Sequence, residues 1–224
     1  MPTSPTVLVA SDDVFELATL SAALRLQAVN VVAEASTSEI AESLYKFLSP
    51  EVALIDLQFA GAEAIALVAK FRKVNPALGI VLMTACPDLR LLGLIEKQIP
   101  QGSQVILKRS IADLAVVSQA IGRSIGAING KEKMAWVNSH GSLHENAFNS
   151  ILNEFTDIQI DTFRLLAKGL TNSEIAKVRF VSEKSVEQIV ARIAQHLQVM
   201  PDRTLNLRVF LTGEYFKLIG APRH

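Results

Sequence analysis

Short apolar runs alternate with amphipathic stretches through the first 125 residues. Thr6–Ala10, Asn30–Ala35, Val52–Leu57, Ile80–Thr84 and Gln104–Leu107 have strand length, and each stops at polar residues. The stretches between them carry helical spacing. One runs from the acids at Asp12 and Asp13 to about Leu26. Another covers Thr37–Leu48, with Ser36 or Thr37 as N-cap and Glu39 or Glu42 in its first turns. Ala62–Val74 and Leu89–Gln98 follow, and Ser110 caps a last helix to about Ser124. Five strand–helix units with mostly apolar strands predict a five-stranded parallel sheet covered on both faces.

The pattern then changes. Residues 126–152 hold Gly126, Gly130, Gly141 and the mixed charges Lys131-Glu132-Lys133, and read as a linker interrupted by Trp136 and Leu143. Four helices are predicted beyond it. Thr156-Asp157-Ile158-Gln159 has the form of a capping box, Ile160, Phe163, Leu166 and Ala167 form an apolar stripe, and Gly169 ends the helix. Thr171-Asn172-Ser173-Glu174 opens a second. Ser182 caps a third, in which Val186, Ile189, Val190, Ile193 and Leu197 share one face. The fourth spans about Thr204 to Leu218. Two short helices joined by a tight turn, the second polar on its outer face, fit a helix-turn-helix; a helical bundle with a solvated face fits the same pattern. The division expected is 1–125, 126–152 and 153–224.

Charge adds little. The chain carries 22 Lys and Arg against 22 Asp and Glu, so no global field draws it to nucleic acid or membrane. Residues 151–224 hold 10 basic and 8 acidic residues, a weak basic bias in the direction a nucleic-acid-binding end requires. Cys86 is the only cysteine, which excludes an internal disulfide and fits a reducing cytoplasm. MPTSPTVLVASDD lacks the basic start of a signal peptide, and no apolar run approaches the ~20 residues of a membrane span. A cytoplasmic protein is expected.

Chemistry gathers at the strand ends. Ser11-Asp12-Asp13 follow the first strand, Asp56 ends the third, Thr84 the fourth, and Lys108 follows the fifth. Parallel strands place these ends side by side, where open α/β sheets bind ligands. Carboxylates can hold Mg²⁺ or accept a phosphoryl group, and an ammonium and a hydroxyl can meet its oxygens.

The segments VLVASDD, EVALIDLQFAG, IVLMTA and VILK resemble the receiver domain of two-component response regulators. The resemblance implies an α/β flavodoxin-like fold with strand order 2-1-3-4-5. It makes Asp56 the phosphoacceptor, Thr84 the switch hydroxyl and Lys108 the phosphoryl partner. It also implies a Mg²⁺ site of Asp12, Asp56 and the Gln58 carbonyl, with Asp13 an extra acid. The sequence departs from the family in three places. Ser11 stands where the first of two adjacent acids is usual; sliding the register to pair Asp12 with Asp13 instead puts Glu16 on the buried face. Val105 replaces an aromatic three residues before the Lys, and Ala60 replaces the usual Pro.

The run LLAKGLTNSEIAKVRFVSEKSVEQIVARI resembles the LuxR-type helix-turn-helix of NarL/FixJ response regulators. That resemblance makes the second half an all-α, four-helix DNA-binding domain and Ser182–Leu197 its recognition helix. Lys184, Ser185, Glu187, Gln188 and Arg192 would then face double-stranded DNA. Glu187 and Ala191 stand where the family often has Lys, and Gln198 where Gly is usual. Val209, Phe210, Tyr215 and Phe216 pack on the domain's own core or form a dimer surface. The function implied is a transcriptional response regulator controlled by a sensor histidine kinase and homodimeric when active, without enzymatic activity of its own. Two alternatives stand beside it: a pseudo-receiver transcription factor independent of phosphorylation, and a protein-binding adaptor.

Overall fold

A computed structural model describes residues 4–59, 63–129, 132–137, 152–199 and 206–220. Two compact units divide these residues. One takes the chain up to Thr84 and from Glu96 to Val137. The other takes Ala85–Ile95 and the helices from Leu152 onward.

In the first unit, strands β1 (Thr6–Ala10), β2 (Asn30–Ala35), β3 (Val52–Asp56), β4 (Gly79–Thr84), β5 (Gln104–Leu107) and β6 (Ala135–Val137) form one parallel sheet ordered β2-β1-β3-β4-β5-β6. The first five fall in the order expected. The sheet has six strands rather than five. Ala135-Trp136-Val137 is too short to show a strand period in a polar stretch, yet it pairs with Gln104–Ile106. Every residue of β3, β4 and β5 is buried, as a sheet covered on both faces requires. Edge strand β2 instead alternates buried and partly exposed positions.

Helices α1 (Val14–Leu26), α2 (Ser38–Leu48), α3 (Glu63–Val74) and α4 (Leu114–Asn129) connect the strands. Leu17, Leu20 and Leu24 of α1 join Val116, Val117, Ala120 and Ile121 of α4 over Val7, Val9, Leu54, Val81, Met83 and Ile106 of the sheet. Between α2 and α3, Tyr45 stacks on Phe71 at 4.0 Å between ring centres and donates its hydroxyl to the Phe71 carbonyl. Gly79 suits the crossing of α4 over β4: a Cβ there would lie 2.5 Å from Ser124 Oγ, so a larger residue would force a shift. The last helix of this unit starts at Leu114, not Ser110, because Lys108–Ala112 form a 3₁₀ turn and the Asp113 side chain accepts from the Ala115 N–H. It also continues to Asn129, into the stretch expected to be linker.

The second unit holds α5 (Asp157–Ala167), α6 (Asn172–Arg179), α7 (Glu183–His196) and α8 (Leu207–Ile219). Thr156 and Gln159 close a reciprocal capping box. Thr171, Ser182 and Asn206 each cap the helix that follows. The expected start of the fourth helix, Thr204, lies outside the described residues. Phe163, Ile175, Val186, Ile193 and Leu211 centre the core, and Phe163 meets Tyr215 edge to face at 5.3 Å.

The expected helix Leu89–Gln98 is absent. Two 3₁₀ turns, Leu89–Leu92 and Glu96–Gln98, replace it. Gly93 at φ 76° ends the first turn, a conformation that stops a helix at little cost only for glycine. Tertiary contacts outweigh the helical pattern here. Cys86 and Leu91 enter the core of the helical unit, and the Leu91 carbonyl accepts the Tyr215 hydroxyl at 2.6 Å. Arg90 pairs with Asp88 and Asp157 and donates to the Leu152 and Phe155 carbonyls.

Candidate functional site

Parallel pairing brings the C-terminal ends of β1, β3, β4 and β5 to one edge. Ser11, directly after β1, is fully buried, as are Asp56 and Thr84, the last residues of β3 and β4. Lys108 follows β5 and is mostly buried, its side chain 12% exposed. Its Nζ donates to Asp56 Oδ2 at 2.6 Å. The other carboxylate oxygen, Asp56 Oδ1, accepts the Gln58 N–H at 2.9 Å. Burial raises the Asp56 pKa above the usual carboxylate range. Lys108 and the Gln58 N–H oppose that shift, and the nearby Glu16 adds to it.

Glu16 is the residue sequence reasoning did not assign. Its Oε2 accepts from Lys108 Nζ at 2.9 Å and from Ser11 Oγ at 3.1 Å. One ammonium therefore bridges two carboxylates. The sequence held a signal that hid this role. Asp13-Val14-Phe15-Glu16 has capping-box spacing, and Asp13 does cap α1, accepting the Glu16 N–H at 2.9 Å. The Glu16 side chain, however, turns to Ser11 and Lys108.

Of the expected cation ligands, Asp56 lies at the centre. Asp12 sits at the exposed rim. The Asp13 carboxylate serves as the α1 cap, which its place at the helix start explains. Among the described residues no three acidic, histidine or cysteine side chains stand together as a cation cage. Val105 is buried in β5, and its register partner on β6 is Trp136. Laterally paired residues project to the same face of a sheet, so Trp136 lies on the same face as Val105.

In the helical unit, α6 ends at Phe180, whose left-handed φ of 55° makes the turn into α7. Val186, Val190 and Ile193 point into the core. Lys184, Glu187, Gln188 and Arg192 are exposed, and Lys184, Gln188 and Arg192 recur every four residues along one stripe. Ser185 is half-buried, with its hydroxyl 2.8 Å from that of Ser182, so it serves the helix start. Arg179 and Arg208 hold the scaffold. The first donates to the Ile158 carbonyl and Thr162, the second to Asn172 and the Leu170 carbonyl. Of the four tail residues, Tyr215 is buried, Phe216 packs against the core, and Val209 and Phe210 are exposed.

Comparison with known proteins agrees with both halves. Residues 153–206 match the family described as bacterial regulatory proteins, luxR family, so this segment carries a LuxR-type domain. The whole chain shares its fold with solved response-regulator structures. One is the two-component response regulator RcsB in complex with DNA. It is 20% identical, with 96% of this chain and 99% of that one covered and a TM-score of 0.53. Another holds two RcsB dimers bound to two parallel DNAs, at 19% identity, the same coverage and a TM-score of 0.54. No curated protein sequence matches the chain.

Proposed function

We propose that this chain is a DNA-binding transcriptional response regulator whose DNA affinity is set by phosphorylation of Asp56. The observation that carries the reading is Asp56 itself: a fully buried carboxylate at a strand end, held 2.6 Å from Lys108, in a chain that also contains a LuxR-type domain. Burying a charge is costly unless it is paired, and core packing has no use for one here.

The ionised Asp56 attacks the phosphorus of a phosphohistidine on a sensor kinase. A P–O bond forms as the P–N bond breaks, and the histidine departs. Lys108 pairs with the phosphoryl oxygens, and the Thr84 hydroxyl, on the adjacent strand, donates to them. Hard oxygen donors and an excess of one negative charge around Asp56, Glu16 and Lys108 fit Mg²⁺, which often takes only one or two carboxylates and completes its shell with water. Asp12, Asp56 and the Gln58 carbonyl are the ligands the fold implies. A bound cation neutralises charge on the phosphoryl oxygens.

The readout begins at Thr84. The chain leaves β4 there and enters Ala85–Ile95, which packs among the C-terminal helices. In this reading Ala85–Ile95 is the signalling element. Phosphorylation favours a homodimer whose α7 helices read two half-sites about one DNA turn apart, with Lys184, Gln188 and Arg192 contacting phosphates or base edges. The protein works in the cytoplasm; among the described residues no helix is long and apolar enough to cross a membrane.

Ser11 favours a second reading, a pseudo-receiver in which Lys108 permanently occupies the acidic pocket. Intact-mass spectrometry separates the two. With acetyl phosphate and Mg²⁺, the wild type should gain one phosphoryl mass and Asp56→Asn none. No gain in either protein would select the pseudo-receiver.

A further inference from the structure

We infer that Glu16 is the second carboxylate of the divalent-cation site, relocated onto helix α1 to do the work of the acid that Ser11 replaces. The inference rests on the receiver reading above and adds a ligand that this reading does not contain.

Three features of the pocket support it. The first is position: Glu16 Oε2 lies 3.1 Å from Ser11 Oγ, in the space a carboxylate at position 11 would reach. The second is the chemistry of the exchange. Serine is short and donates a hydrogen bond, so it makes room for a neighbouring carboxylate and orients it. An aspartate at position 11 would repel Glu16. The third is what Glu16 already does, since it shares the Lys108 ammonium with Asp56, at 2.9 and 2.6 Å. Two carboxylates that converge on an ammonium can converge on a metal ion that displaces it. Asp13 anchors the arrangement by fixing the start of α1 through the Glu16 N–H, so the backbone at position 16 is held while its side chain reaches inward.

The tests read Mg²⁺ affinity by calorimetric titration of the full-length protein, with no phosphodonor present. Glu16→Gln keeps the side chain's length and its hydrogen bonding to Ser11, and should weaken Mg²⁺ at least about tenfold, the scale on which altered metal sites respond. Ser11→Asp combined with Glu16→Gln returns the acid to position 11 and should recover affinity to within a few-fold of wild type. Lys108→Gln removes the competing ammonium and should tighten Mg²⁺. Unchanged affinity in Glu16→Gln overturns the inference, as does a double variant no better than the single one. Absence of Mg²⁺ binding by the wild type overturns it too; in that case phosphoryl transfer to Asp56, followed by intact mass, still decides the receiver reading separately.

Discussion

Asp56 carries a thermodynamic burden that pH should reveal. Its folded pKa lies above the ordinary 3.8 because burial disfavours the carboxylate more than Lys108 and the Gln58 N–H favour it. The folded state therefore binds this proton more tightly than the unfolded chain does. Stability from this group is complete below 3.8 and is lost as pH rises through the raised folded value. Asp56→Asn should melt at a higher temperature than wild type at neutral pH, with the gap closing as pH falls toward about 4. Thermal melts across that range check the sign; a variant less stable at neutral pH would show that Lys108 outweighs desolvation. Cys86 gives a second residue-scale expectation. Burial pushes its thiol up to about 12, so it should resist thiol reagents until the protein unfolds. Asp56, Thr84 and Lys108 could be read in the sequence because each breaks an apolar strand at its end. Glu16 could not, because it lies within the first turn of a helix rather than at a strand end, and the preferred register keeps it off the buried face.

At the scale of elements, periodicity revealed what packing enforces and missed what packing overrides. Val186, Val190 and Ile193 recur at helical spacing because one face of α7 is buried, and the opposite face followed from them. Leu89–Gln98 shows comparable spacing, yet Leu91 and Cys86 contribute to a core built by residues far along the chain, and Gly93 ends the turn. Strand β6 has only three residues, too few for alternation to register. Tyr215→Phe should destabilise the helical unit by about 1 kcal/mol, since it leaves the buried Leu91 carbonyl without its donor. Chemical denaturation checks this. On α7, Lys184→Ala should weaken binding to all DNA sequences and lower the salt dependence by about one counterion. Gln188→Ala or Arg192→Ala should cost roughly 1–3 kcal/mol and relax specificity at one position if that side chain reads a base. Binding titrations at several salt concentrations distinguish the two kinds of contact.

The whole molecule joins a weakly charged LuxR-type half to a half with an acidic pocket at its strand ends. With so small a basic excess in residues 151–224, one copy would gain little from phosphate contacts, and under the proposed function pairing of two copies would supply the missing affinity. On that proposal, control of pairing would be control of binding. The chain passes from the first unit to the second directly after Thr84, into a segment anchored within the second unit by Arg90 and Tyr215. The most direct test is a binding titration of full-length protein on a labelled duplex obtained by in vitro selection, with and without acetyl phosphate and Mg²⁺, for wild type and Asp56→Asn. The phosphodonor should tighten binding by the wild type and leave Asp56→Asn unmoved. Superimposable wild-type curves with and without the phosphodonor would contradict control by phosphorylation.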